Sequence, residues 1–394
     1  MNGEKNLISA YSGKVTEYRN WLHAHPELSG KEENTASYIA NALREIGLEP
    51  VEHVGGYGVV ALIEGKAPGK CVGLRADFDA LPIQEKTGLD IASQNDGVMH
   101  ACGHDAHAAM LLGAAYVLNQ MRDRFSGTVK LVFQPSEEDN MSSGAKAMIA
   151  DGVLQDPPVD AMFSQHVWSK AEVGQVLVRN GAMMGASDRF YITIHGKKSH
   201  GSAPENGIDA IVIAAEVISL LQTIISRKVN PMDNAVITIG QIIGGQRYNI
   251  IADEVQLVGT CRSLTSEVRD LIPEYIESVV RGVTESMGGS YHFEYVKGYS
   301  VTANSPEMFH LFCASVRDAL GENALQIPEH AALTGEDFSF FCEQVPSCYF
   351  WLGCRNKNQE FFPLHNDRFF AAEECLPVGV EVMVHAAINF LNQS

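Results

Sequence analysis

The chain has 394 residues, 45% hydrophobic and 20% charged. That is an ordinary globular balance, which excludes disordered and fibrous classes and, at roughly 150 residues per domain, predicts two to three domains. Twenty-nine Lys and Arg stand against 48 Asp and Glu, a formal net charge of −19, which repels phosphate backbones and anionic lipid heads, so neither nucleic acid nor a membrane is expected as a partner. The opening segment MNGEKNLISAYSGKVTEY lacks the apolar centre of a signal peptide, and no run of about 18 apolar residues is read along the chain. Eight cysteines without paired spacing are too sparse for a disulfide scaffold and predict reduced thiols in a cytoplasmic protein.

In chain order, a first helix is predicted around Val15–His23 and a second from Asn34 to Ile46, with Gly47 placed to terminate it. Short apolar strands then alternate with helical patterns: strand Val72–Arg75, helix Ala106–Met121, strand Thr128–Gln134, helix Gly144–Ala150, strand Ala161–Gln165. Such alternation predicts an α/β domain built on a mainly parallel sheet flanked by helices. From about Asp188 the pattern changes. Strand Arg189–Gly196, helix Ile208–Arg227, strands Ala235–Ile243 and Val255–Cys261, helix Val268–Met287 and strand Tyr291–Val296 follow in the order of a ferredoxin-like β-α-β-β-α-β unit. Helix Met308–Leu320, strand Cys348–Leu352 and a closing helix after Pro377 then resume the first pattern. The simplest account is a ferredoxin-like domain at 185–297 inserted into a larger α/β domain of residues 1–184 and 298–394. No repeat with a period of roughly 20–50 residues appears, which removes solenoids and propellers.

Open α/β sheets bind ligands beyond the carboxyl ends of their strands. Chemically active residues fall at such ends here: Asp77 after the first strand, Glu137-Glu138 after Thr128–Gln134, His166 after Phe163, and His365 beyond Leu352, while His100-Ala-Cys102-Gly-His104-Asp105-Ala-His107 opens a helix. Taken singly, each has an ordinary reading as a rim histidine or a solvated carboxylate. Together, Cys102, His104, Glu138, His166 and His365 offer a thiolate, imidazoles and a carboxylate, the donors of Zn²⁺ and, on the carboxylate side, Mn²⁺. Five donors exceed one four-coordinate site. They suit two cations roughly 3.5–4 Å apart that activate a water for hydrolysis of an amide. Glu137, turned away from Glu138 by an extended backbone, is the expected general base. Asp77 and Asp105 are the expected carboxylate partners of ligand imidazoles. No Gly-x-Ser-x-Gly elbow, dinucleotide fingerprint or phosphate loop occurs. A Cys102 nucleophile would leave Glu138, His166 and His365 without employment.

The segments LHAHPELSGKEENTA, LRADFDALP, MHACGHDAHAAMLLGAA, FQPSEED, SQHVW, KKSHGSAPENGIDA, YNIIADE, GTCRS, TGEDFSFF and PLHND resemble the two-metal amidohydrolases that include hippurate hydrolase, plant hydrolases of indole-acetyl–amino acid conjugates and N-acyl-amino-acid amidohydrolases. These are relatives of aminoacylase and the dipeptidases. The resemblance spans nearly the whole chain. It implies a di-metal catalytic domain with an inserted lid, two divalent cations (Mn or Zn, with Co or Ni as alternatives), and an N-acyl amino acid or dipeptide as substrate. It implies Cys102, His104, Glu138, His166 and His365 as ligands and Glu137 as base. In the lid it implies His200 as the group that polarises the scissile carbonyl, and Asn249 and Arg262 as the grip on the substrate carboxylate. Wider relatives carry a His-x-Asp motif where this chain has Arg75-Ala-Asp77, so the group bridging the metals stays unassigned. Glu336 and Asp337, and His23 and His25, are expected to be structural, and the other seven cysteines to be small buried hydrophobes. A homodimer or homotetramer formed through the lid is a further expectation, as is a dipeptidase or carboxypeptidase activity on the same scaffold or, third, a metal-stabilised binding protein without catalysis.

Overall fold

The computed structural model describes residues 2–140 and 142–393. In chain order the elements are α1 (Asn2–Ala24), α2 (Glu33–Ile46), β1 (Val51–Val54), β2 (Gly58–Glu64), β3 (Cys71–Asp77), α3 (His104–Gln120), β4 (Thr128–Gln134), α4 (Gly144–Ala150), β5 (Ala161–Glu172), β6 (Val176–Leu177) and β7 (Gly181–Met184). There follow β8 (Ala186–His195), α5 (Ala210–Arg227), β9 (Ala235–Gly244), β10 (Glu254–Ser263), α6 (Ser266–Ser286), β11 (Ser290–Tyr299), β12 (Thr302–Asn304), α7 (Pro306–Leu320), β13 (Leu325–Gln326), α8 (Ser339–Cys342), β14 (Ser347–Arg355) and α9 (Cys375–Leu391). The chain separates into a larger unit, Met1–Met183 with Ala303–His330 and Asp337–Ser394, and a smaller one, Met184–Thr302 with Ala331–Glu336.

The larger unit holds a sheet in the order β1-β2-β4-β3-β5-β14-β6-β13 among the described residues. Its centre is parallel, β4-β3-β5-β14, while β1, β2 and the β6–β14 contact are antiparallel. A central parallel strand is covered on both faces, and all seven residues of β3 are buried, the ion-paired Arg75 and Asp77 among them. Helices α1, α3 and α9 pack on one another, and α3 and α9 pack on this sheet. Gly47, at φ 90°, ends α2 in the left-handed conformation, with its N–H and that of Leu48 returning to the carbonyls of Arg44 and Leu43. The last helix starts at Cys375, ahead of Pro377 rather than after it. A proline in the first turn loses no helical hydrogen bond, so the residue marks the start loosely.

The smaller unit runs β8-α5-β9-β10-α6-β11 with sheet order β11-β8-β10-β9, antiparallel throughout, the arrangement of a split βαβ unit. Its limits extend past the expected 185–297. Arg269 bonds the Gly298 carbonyl (2.9 Å) and Ser300 Oγ (2.7 Å), and Gly185 N–H donates to Thr334 O (3.0 Å), which tie both flanks into this unit. Helix α5 corrects a second expectation: over its 18 residues it has a mean hydropathy of 1.7, long and apolar enough by length and composition to cross a bilayer. It lies on the sheet instead, burying Ile213, Ala214, Val217, Leu221 and Ile224 at helical spacing.

Candidate active site

Strand β3 ends at Asp77 and leads straight into Phe78 and Asp79, all buried. Strand β4 ends at Gln134, and the turn Pro135-Ser136 carries the chain to Glu137 and Glu138. Ser136 has φ 54°, so the backbone bends there. The expected extended segment with Glu137 turned away from Glu138 is therefore absent: Glu137 Oε2 and Glu138 Oε1 each lie 4.0 Å from His104 Nε2. The turn is held from behind, since Glu32 Oε1 accepts from Ser136 N–H (2.8 Å) and Oγ–H (3.0 Å). His166 is not at a strand end. β5 continues to Glu172, and His166 sits within it opposite Trp351 of β14. His365, at φ 65°, is placed by its own N–H on the Ala101 carbonyl (2.8 Å).

The Cys102-Gly103-His104 segment opens α3, and Gly103 is required there. It has φ 84°, and a Cβ would lie 2.4 Å from Val167 Cγ2. This close approach sets Cys102 Sγ 3.4 Å from His166 Nε2 and 3.2 Å from His365 Nε2. His365 Nε2 is 3.3 Å from Glu138 Oε1. Donor atoms of Cys102, His104 and His166 lie within 4.8 Å of one another, as do those of Cys102, Glu138 and His365 and those of His104, Glu137 and Glu138. Cys102 thus belongs to two triads. His104 Nδ1 faces the Asp79 carbonyl (2.9 Å) and Oδ1 (3.2 Å), and His166 Nδ1 faces the Val167 carbonyl (2.7 Å), so both rings carry a proton on Nδ1; His166 presents a lone pair at Nε2, and His104 does so once its second proton is released. His104 Nε2 and Glu138 Oε1 are buried without a hydrogen-bond partner. Two strong polar atoms left bare at the meeting point of thiol, imidazole and carboxylate are what a cation would satisfy, so the residues present fit a metal pair.

The electrostatics agree. Burial disfavours the charged form of His104, yet Asp77, Asp79 and Glu138 outweigh it and raise its pKa to about 10. Burial, with His107 adding, holds His166 well below its ordinary value and therefore neutral. Burial and the nearby Glu138 and Glu137 push the Cys102 thiol well up. A site with this much negative potential favours a cation, and binding it requires release of the protons on Cys102 and His104.

A model of the family described as Peptidase family M20/M25/M40 matches residues 73–389. The chain belongs to this family. It is 41% identical over 303 residues to an N-acyl-L-amino acid amidohydrolase of Geobacillus stearothermophilus, covering 77% of this chain and 81% of that protein. It is 38% identical over 392 residues to thermostable carboxypeptidase 1 of Saccharolobus solfataricus, covering 99% and 98%. The solved Bacillus subtilis YXEP protein, described as a dinuclear metal binding peptidase of the M20 family, superposes with a TM-score of 0.85 at 33% identity, covering 98% of this chain and 100% of that one. The M20 chain described here is accordingly a metal-dependent amidohydrolase.

Other expected residues of this M20 protein fall differently. Asp105 touches no expected ligand ring. Its carboxylate meets His23 Nδ1 at 2.7 Å and Arg19 Nε at 3.1 Å, because one step along a helix turns it away from His104. Asp77 bonds His107 Nδ1 (2.5 Å) and Arg75 Nη1 (2.8 Å) and is 3.7 Å from His104 Nε2. The carboxylate that serves His104 is Asp79, whose Oδ2 also accepts from Glu138 N–H (2.9 Å) and Ser29 Oγ–H (2.7 Å). Asp337 collects Arg75, Gln134, Ser143 and the Ala145 amide. Buried Glu336 offers its carbonyl to Thr302 in the smaller unit. His23 is buried between Asp105 and Glu85, and His25 is bonded to the Trp21 carbonyl and stacked on its ring. Of the seven remaining cysteines, Cys342 is only half-buried and the others are buried.

In the smaller unit, a bridge pairs His200 with Ile250, and Gly201 N–H donates to Asn249 O (2.9 Å), so His200 and Asn249 share one loop cluster. His200 Nδ1 accepts from Ser202 N–H (3.2 Å), which leaves the proton on Nε2. Asn249 Oδ1 is buried and unpartnered. Arg262, on β10, has its pKa lowered by burial, and no carboxylate lies within ion-pair distance of it among the described residues.

Proposed function

We propose that this M20 amidohydrolase cleaves the amide bond of N-acyl amino acids, releasing a carboxylic acid and a free amino acid. The observation that carries the reading is the pair of donor triads sharing Cys102, with Glu137 beside them. Cys102, His104, Glu138, His166 and His365 would hold two divalent cations, Mn or Zn by donor type, with Co or Ni as substitutes. Bound there, the cations would supply Lewis acidity, making a water acidic near neutral pH and favouring the oxyanion of the transition state. Glu137 takes the proton of the attacking water and returns it to the departing amine nitrogen. His200, with its proton on Nε2, donates to the scissile carbonyl oxygen. Arg262, half-buried and in no ion pair among the described residues, receives the substrate carboxylate as a fork, with Asn249 assisting, which selects N-acyl amino acids over plain amides. The smaller unit acts as a lid that excludes water.

The match to a carboxypeptidase over 99% of the chain favours one competing reading, cleavage of peptides by the same groups with a different acyl pocket. Chelation followed by restoration of Mn²⁺, Zn²⁺, Co²⁺ or Ni²⁺ separates them. N-acetyl and N-benzoyl amino acids should regain turnover, and preferred release of C-terminal residues from peptides would favour the competitor. Arg262→Ala should raise KM for acyl amino acids, and unchanged kcat/KM would remove the carboxylate role. A homodimer through the smaller unit is part of the same reading. Edge strand β9 exposes Ile242 and Ile243, and α5 exposes Ile211, Val212 and Leu220. The free state of all eight cysteines fits work in a reducing cytoplasm.

A further inference from the structure

His107 is not among the five donors that the sequence places at the centre, yet it is fully buried and stands one helical turn from His104 on the same face of α3. Strand β3 pairs with β5 only as far as Arg75–Ser164. Beyond that point the β3 side of β5 has no strand neighbour among the described residues, and the backbone groups of Val167 need other partners. Both find an imidazole. Val167 N–H donates to His107 Nε2 (2.8 Å), and the Val167 carbonyl accepts from His166 Nδ1 (2.7 Å). An amide can only donate, so His107 Nε2 is an acceptor and its proton is on Nδ1, given to Asp77 Oδ1 at 2.5 Å. Asp77 is fixed in turn by Arg75 Nη1 at 2.8 Å. The His107 and His166 rings lie 4.5 Å apart.

We propose that His107 is a positioning residue that acts through Val167: by holding the Val167 amide it fixes the carbonyl that keeps the proton of His166 on Nδ1 and aims His166 Nε2 at Cys102. The inference rests on the reading of Cys102, His104, Glu138, His166 and His365 as metal ligands for its consequence, but not for the relay itself. Residues behind a ligand histidine that set its tautomer commonly change metal affinity by about 10–100-fold. Here the carboxylate stands two links back, with the backbone of Val167 between it and the ligand.

Two substitutions separate the links. His107→Gln places an amide where Nε2 stands and can still accept from Val167 N–H. His107→Asn places its amide near the Nδ1 position, keeps the Asp77 contact and loses Val167. In metal-free protein labelled with ¹⁵N-histidine, His166 should be the Nδ1–H tautomer in the native chain and in His107→Gln, and should shift toward a mixture in His107→Asn. With Co²⁺ as the probe, His107→Asn should bind about 10–100-fold more weakly, lose intensity in the thiolate charge-transfer band and lower kcat more than it raises KM, while His107→Gln stays close to native. A His107→Asn protein with the native His166 tautomer and native Co²⁺ affinity overturns the proposal. Equal losses in both variants overturn it too, since they would place the effect on Asp77 or on folding. If the native chain shows the tautomer pattern but binds no Co²⁺, the metal reading fails and the relay stands.

Discussion

The Asp79 side chain bonds both the His104 ring and the Glu138 main chain, and replacing it by Asn tests whether the centre is built as described. Its Oδ1 lies 3.2 Å from His104 Nδ1, and its Oδ2 accepts from Glu138 N–H at 2.9 Å and Ser29 Oγ–H at 2.7 Å. Asparagine retains one oxygen, so whichever way the amide sits, an NH₂ group faces a donor on the other side. A hydrogen bond to a charged group contributes about 1.5–3 kcal/mol net. His104 keeps its 2.9 Å bond to the Asp79 main-chain carbonyl, so its ring is not freed entirely. The net loss is therefore about one such bond, which converts to a roughly 10–100-fold weaker metal affinity. Competition titration against a chelator, with metal content measured after dialysis, reads this directly, and a thermal melt checks that the variant is folded. If folded Asp79→Asn holds its metals within about twofold of the native chain, the clamp does not orient the ligands and the reasoning fails.

Three other outcomes are expected. Glu137→Gln should lower kcat by about 10²–10⁴-fold while leaving metal content unchanged, since the base is not a ligand; near-native turnover would remove its role. Burial opposes protonation of His23, but Asp105 and Glu85 raise its pKa from 6.5 to about 9. A raised folded-state pKa stabilises fully below the unfolded value, so about 3 kcal/mol should be present below pH 6.5 and be lost as pH rises through 9. Thermal unfolding across pH 6–10 should show this slope, and a slope that persists in His23→Gln would assign it elsewhere. Cys102 as a thiolate ligand makes the centre oxidisable, so peroxide should inactivate the enzyme with partial recovery by reductant, and Cys102→Ser should bind metal more weakly. Full metal content in that variant would contradict the assignment.

The five donors were legible because Cys, His and Glu sit in short motifs that topology carries to one end of a parallel sheet. Their supports were less so. Asp105, expected as a partner of a ligand imidazole, follows His104 directly in sequence, but consecutive helical positions face different ways, and Asp105 meets α1 through Arg19 and His23. Asp79 and His107 carried signals that could have found them. Asp79 is two residues beyond Asp77 along an extended segment, and His107 is three beyond His104 on a helix, so each shares a side with its neighbour. Glu32 had none: it approaches Ser136 from a loop distant in sequence, and burial with Asp79 nearby raises its carboxyl to about 7. The ferredoxin-like pattern was readable from alternation alone. The tight turn at Ser136 was not, since a non-glycine residue at φ 54° follows from tertiary contacts.

The most direct test of the account is anomalous diffraction from crystals of the native chain soaked in Mn²⁺ or Zn²⁺. Two peaks are predicted among Cys102, His104, Glu138, His166 and His365, with Glu137 contacting neither. A single peak, or peaks that leave Cys102 or His365 uncoordinated, would contradict it.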